Sequence, residues 1–131
     1  MPSRRSILIA FAAANAAALT PAFAAAGPQP FDARAFADAQ KAGKPILVAV
    51  QASWCPTCRA QKPILGELTA DPKFKNLAFF TIDFDSQKDL VRRFNVRMQS
   101  TLIAFKGGSE AGRSVGDTDR KSIAALLDKT L

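Results

Sequence analysis

Apolar residues recur along this chain in two rhythms: short, almost continuous runs, and longer stretches with helical spacing. Pro45 to Gln51 is nearly all apolar, as in a strand covered on both faces. Leu77 to Phe84 and Thr101 to Phe105 are two more strand-like runs, rich in Phe, Ile and Leu. Gly107-Gly108 reads as a turn into a fourth strand that ends near Val115-Gly116. Asp32 is placed to cap a helix running to about Ala42, where Gly43 stops it. A second helix is predicted from Cys55 to about Leu68, with Pro63 inside it as a kink. Asp85 or Ser86 is expected to cap a third helix reaching Phe94, with Leu90, Val91 and Phe94 on one side. Asp117 to Asp119 offer caps for a last helix that places Ile123, Leu126 and Leu127 at i, i+3 and i+4. The phenylalanines at 79, 80, 84, 94 and 105 read as core. The order α-βαβ-α-ββ-α predicts an α/β fold. Its βαβ unit makes parallel neighbours with a right-handed crossover, and the hairpin adds antiparallel strands. The expected result is a mixed four-stranded sheet with helices on both faces.

The first residues have a different character. Arg4 and Arg5 precede an apolar, Ala-rich run from Ile7 to Leu19, and no acidic residue occurs before Asp32. Ala22-Phe23-Ala24 and Ala24-Ala25-Ala26 both fit a small-x-small cleavage site. Residues 1–24 are therefore expected to be a signal peptide, 25–31 a linker and 32–131 the folded domain, with the mature chain starting at Ala25 or Gly27. Ser3-Arg4-Arg5-Ser6-Ile7-Leu8 partly resembles a twin-arginine signal. The competing reading is an uncleaved membrane anchor, against which stand the shortness of the run and Pro21 within it. Cleavage leaves 16 basic against 11 acidic residues, a net charge of +5. The basic residues are scattered, without a run of five or an interleaved aromatic platform, so a solvated basic surface is expected and no nucleic-acid partner. Export to a periplasmic or secreted location would put the cysteines in an oxidising compartment.

Composition then narrows the chemistry. The chain of 131 residues has no histidine and two cysteines. It cannot build a Ser-His-Asp triad, a Cys-His pair or a four-ligand zinc site of the usual kind, and no metal ligand or bound cofactor is assigned. The two cysteines are Cys55 and Cys58, in Trp54-Cys55-Pro56-Thr57-Cys58, between an apolar strand and a helix. Residues three apart face each other once a helix has begun. The first sulfur then meets unpaired N–H groups and a partial positive charge, which favour the nucleophilic thiolate. Cys55 is expected to attack, nearer the exposed helix end. Cys58, one turn in and more buried, is expected to resolve the mixed disulfide. A static structural disulfide is the plainer alternative, but a loop this small stabilises little.

The segment Ala52 to Cys58, Pro63 five residues later, Phe94-Asn95-Val96-Arg97, Thr101-Leu102, Phe105 to Gly108 and Val115-Gly116 together resemble the thioredoxin family over about 100 residues, which covers nearly the whole of 32–131. The resemblance implies a thioredoxin-like fold and a thiol–disulfide oxidoreductase that needs no cofactor, because the dithiol carries the electrons. Exported members often reduce protein disulfides, including in cytochrome c maturation, fed by a membrane electron donor; others oxidise or isomerise. Three positions depart from the family pattern. Ser100 stands where the family has a cis-proline, Ala49 where it often has a buried Asp, and Phe79 where a buried Lys often partners that Asp. Losing both charges together is coherent, since a lone buried charge is costly.

Several residues around the motif carry paired expectations. Trp54 and Pro56 shape the approach to Cys55, with Trp54 either a partly exposed docking surface or a core residue. Arg59, at i+4 from Cys55, either holds the thiolate or is simply solvated. Gln99, Ser100 and Thr101 either pair with substrate backbone or form an ordinary start to a strand. The Gln99–Ser100 bond is expected to be trans, because cis before a non-proline residue costs about 2.5–4 kcal/mol. The hydroxyl or N–H of Ser100 would stabilise a thiolate if either points at the sulfur; otherwise Ser100 is only a tolerated replacement. The rival function is a soft-metal module in which Cys55, Cys58 and Met98 bind Cu(I). A membrane-tethered interaction module is a third reading. The catalytic protein is expected to be a monomer acting on protein thiols and disulfides.

Overall fold

The computed structural model describes residues 27–131. The proposed signal peptide lies outside them. Among the described residues, no helix is long and apolar enough to cross a membrane. The elements are β1 (Gln29–Pro30), α1 (Ala33–Lys41), β2 (Pro45–Gln51), α2 (Pro56–Thr69), β3 (Ala78–Asp83), α3 (Lys88–Arg93), β4 (Thr101–Lys106), β5 (Ser109–Val115) and α4 (Arg120–Asp128), with a short 3-10 turn at Pro72–Phe74.

The sheet has five strands in the order β1-β3-β2-β4-β5, not the four expected. The added strand lies within the stretch read as a linker. Gln29 and Pro30 pair in parallel with Phe80 and Thr81, and the Phe31 N–H donates to the Thr81 carbonyl at 2.9 Å. Two residues show no alternation, and a proline in them hides the strand. Pro is tolerated here because β1 is an edge. The rest of the sheet follows the expected topology: β2 is parallel to β3 and antiparallel to β4, and β4 is antiparallel to β5.

Two cores form because β2 is buried on both faces. Ile46, Val48 and Val50 point to one side, where Phe36 and Ala39 of α1, Leu90 and Val91 of α3, and Phe80, Phe94 and Phe105 close over them. Leu47 and Ala49 point to the other, beneath Leu65 of α2 and Ile123, Leu126 and Leu127 of α4. Helices thus cover both faces, as the near-continuous apolar run of β2 requires.

Two of the expected caps form. Asp32 Oδ1 accepts from Ala35 N–H at 2.7 Å, and Asp119 Oδ1 accepts from Lys121 and Ser122 N–H at 2.8 and 3.0 Å. The start of α3 is a correction. Neither Asp85 nor Ser86 caps it; the flanking residue is Gln87, without a side-chain cap. Asp83 takes the local donors instead, accepting from Asp85 and Ser86 N–H at 2.9 Å each. Gln87 reaches back to the Asp83 N–H at 2.8 Å. Helix α2 runs unbroken through Pro63.

Candidate active site

Strand β2 ends at Gln51, and the chain turns through Ala52, Ser53 and Trp54 into α2. Cys55 is the residue that caps this helix. Its backbone is extended (φ −85°, ψ 112°), and its sulfur accepts the Cys58 N–H at 3.1 Å. Pro56 occupies the first turn, where its missing N–H costs nothing and its fixed φ suits a helix start. The motif therefore places a sulfur at the end of the helix where unpaired donors point outward.

The burial of the two sulfurs differs from expectation. Cys55 is not the exposed member: it is 1% exposed and Cys58 3%. Both pack with Ala52 and the half-buried Phe84. Both cysteines are free thiols. What separates them is hydrogen bonding, since only Cys55 receives a backbone N–H from the helix start.

Ser100 lies against both sulfurs. Its Oγ is 3.1 Å from Cys55 Sγ and 3.1 Å from Cys58 Sγ. All its backbone polar groups are engaged as well. The N–H donates to the Val50 carbonyl at 2.8 Å, and its carbonyl accepts from Gly116 N–H at 3.0 Å and from Gln61 Nε2 at 3.2 Å. The Gln99–Ser100 bond is trans, as expected. Less expected is the backbone at Ser100, with φ +64°, in the left-handed region that costs a non-glycine residue about 1–2 kcal/mol. A proline, locked near −65°, cannot adopt this backbone.

Burial pushes the Cys55 thiol up, but hydrogen bonds outweigh it. Contacts from the Cys58 side chain, the Ser100 hydroxyl and the backbone N–H groups of Cys58 and Thr57 hold it below the ordinary thiol range.

The other residues singled out in the sequence divide clearly. Trp54 is 53% exposed, and its indole N–H donates to Asp85 Oδ2 at 2.7 Å, so it stands at the surface beside the motif. Pro56 is exposed and Gln99 half-buried. Thr101 is buried; its hydroxyl donates to the Met98 carbonyl at 2.7 Å. Arg59 is exposed, with no ion pair among the described residues. The soft-metal alternative finds no support. Met98 is 53% exposed, and no cluster of three His, Cys, Asp or Glu ligands occurs among the described residues. Ala49 and Phe79 are both buried and apolar, so the paired charges expected of the family are replaced together, as expected from the cost of leaving either alone.

Sequence reasoning missed Gln61. It is 4% exposed, and its Nε2 donates to both the Ser100 carbonyl and, at 2.8 Å, the Asp117 carbonyl. A signal for it existed: Cys58, Gln61 and Leu65 share the buried side of α2, so Gln61 is a polar residue in an apolar stripe.

A parallel-then-antiparallel sheet wrapped by helices, with a dithiol at the mouth of α2, defines a thiol–disulfide oxidoreductase of α/β architecture. The family model described as Thioredoxin matches residues 29–129, and the chain belongs to the thioredoxin family. It is similar to Thioredoxin Asp f 29 of Aspergillus fumigatus, 33% identical over 86 residues that make up 65% of this chain and 78% of that one. It is also similar to the Bifunctional thioredoxin reductase/thioredoxin of Mycobacterium leprae, 36% identical over 96 residues. That match takes in 73% of this chain and only 20% of the larger protein. Among solved structures, Trxlp from Edwardsiella tarda EIB202 superposes with a TM-score of 0.74 at 40% identity, covering 76% of this chain and 97% of that one. Thioredoxins are thiol–disulfide oxidoreductases, and this chain is an enzyme of that class.

Proposed function

We propose that the protein is an exported thioredoxin that reduces protein disulfides with Cys55 as nucleophile and Cys58 as resolving thiol. The observation that carries this reading is the sulfur of Cys55 capping α2, where the Cys58 N–H and the Ser100 hydroxyl both reach it. The Cys55 thiolate attacks one sulfur of a substrate disulfide. A Cys55–substrate disulfide forms, and the other substrate sulfur leaves with the electron pair and takes a proton from water. Cys58 then attacks Cys55 Sγ, closing the Cys55–Cys58 disulfide and releasing the second substrate thiol. Two electrons pass from the dithiol to the substrate, and no cofactor is required.

Trp54 and Pro56, exposed around the covered sulfur, and Gln99 to Thr101 are proposed to receive the substrate chain. Export rests on Arg4-Arg5, the apolar run after them and the small residues at 22, 24 and 26, which read as a cleaved leader and a periplasmic or secreted location. A membrane electron donor would return the disulfide to the dithiol, and the enzyme would act as a monomer.

Trapping tests the roles. The Cys58→Ser variant should accumulate mixed disulfides with partner proteins, because attack proceeds and resolution does not. Cys55→Ser should trap nothing and lose insulin reduction. Trapping by Cys55→Ser instead would reverse the assignment. For export, the mass of the protein recovered outside the cytoplasm should begin at Ala25 or Gly27; a mass that includes Arg4 and Arg5 refutes cleavage.

A further inference from the structure

Resolution requires the Cys58 thiol to lose a proton as it attacks, and the departing substrate sulfur to gain one. No carboxylate is hydrogen-bonded to either sulfur among the described residues, the chain has no histidine, and the neighbouring strand positions Ala49 and Phe79 are apolar. The group that touches both sulfurs is the Ser100 hydroxyl, at 3.1 Å from each. A hydroxyl has one proton to donate, and from this position it can turn from Cys55 to Cys58 once substrate caps Cys55.

We propose that the Ser100 hydroxyl stabilises the attacking Cys58 thiolate in the resolving step, and that Gln61 is the residue that positions it. The inference rests on the Cys55/Cys58 exchange reading above. In the mixed disulfide Cys55 Sγ is bonded to substrate and carries no charge, so the Ser100 hydroxyl donates to Cys58 Sγ as that thiol gives its proton to water and attacks Cys55 Sγ. The Cys58–Cys55 bond forms, the Cys55–substrate bond breaks, and the substrate sulfur leaves with the electron pair and takes a proton from water. Ser100 ends the step as it began.

The positioning is built into the fold. Ser100 is held at φ +64°, an unfavourable backbone for serine, by the Val50 carbonyl on its N–H and the Gly116 N–H on its carbonyl. Gln61 adds a third tie, and through the Asp117 carbonyl it joins the loop after β5 to the loop before β4. A buried amide placed one turn after Cys58 therefore fixes the hydroxyl relative to both sulfurs. Strain retained at a site and over-determined by its surroundings is what a positioned functional group requires.

Ser100→Gly is the informative variant, because glycine accepts positive φ and lacks only the side chain. With glutathione as the disulfide partner of Cys55, single-turnover resolution by Cys58 should slow by about 10–100-fold, the scale of one lost hydrogen bond to a charged group. Thermal stability should be kept or raised. Ser100→Thr, which retains the hydroxyl, should restore most of the rate; if its branched side chain prevents folding, Ser100→Gly still decides. Gln61→Met should slow resolution less and move the pH profile of Cys55 alkylation upward. Combined with Ser100→Gly it should shift that profile no further, since it acts through the hydroxyl. Resolution at the wild-type rate in a folded Ser100→Gly protein overturns that role of the hydroxyl. An unshifted pH profile in Gln61→Met, or additive shifts in the double variant, overturns the role of Gln61. Failure of the wild-type protein to resolve the glutathione mixed disulfide would instead overturn the exchange reading on which both depend.

Discussion

The two faces of the sheet are packed to different ends. On the face covered by α1 and α3, the rings of Phe31, Phe36, Phe80, Phe94 and Phe105 interlock mostly edge to face, with centroids 5.2 to 6.1 Å apart. On the face covered by α2 and α4 the core is mainly aliphatic. At its edge, Ala49 and Gly66 help line a solvent-open cavity of about 320 Å³ between β2, β3 and α2. The same helix carries Cys58 and Gln61 on its buried side. Aromatic pairs add about 0.5–1.5 kcal/mol each beyond their area, so the first face contributes stability beyond its buried surface. The second face carries the helix that bears the dithiol. Stability and reactivity are thus largely divided across one sheet, with Phe84 packed against both the aromatic cluster and the two cysteines.

The sharpest test of that division is Phe36→Ala. It removes a ring from the centre of the aromatic cluster and should cost about 3–5 kcal/mol in denaturant unfolding. The alkylation pH profile of Cys55 should not move. A changed profile would mean that the aromatic face also tunes the site.

Enlarging one alanine on each face should have opposite effects. Ala39→Leu overpacks the aromatic side and should destabilise by about 1–3 kcal/mol. Ala49→Val extends toward the cavity and should stabilise by about 0.5–2 kcal/mol. Equal losses in the two variants would show that both faces are equally tight. Gly66→Ala should add about 0.5–1 kcal/mol, because this interior helix glycine has open space where a Cβ would stand.

The smallest effect is a pH linkage confined to the site. The Cys55 pKa is lower in the folded dithiol than in the unfolded chain, so the unfolded chain holds its proton to higher pH. The resulting stabilisation is fully present above the ordinary thiol range and is lost as pH falls through the depressed folded value. Urea melts of the reduced protein across that window should show stability rising with pH, and Cys55→Ser should remove the rise. A flat profile in the wild-type protein would mean that burial cancels the hydrogen bonds to the sulfur.

Much of this molecule is legible along the chain because the responsible physics is local. The apolar run of β2 marks a strand buried on both faces. Asp32 and Asp119 bond donors two or three residues away, and Cys55 and Cys58 meet because a helix starts between them. Tertiary structure decided what depends on partners far along the chain. Gln29 and Pro30 become a strand only because Phe80 and Thr81 supply an edge. Asp85 turns from a predicted helix cap into the acceptor for the Trp54 indole 31 residues away. Ser100 lies 45 and 42 positions from the sulfurs it touches, and Gln61 lies 39 from Ser100. No periodicity records such separations. The sheet closes them, and the left-handed backbone at Ser100 is affordable only because three hydrogen bonds from other elements hold it there.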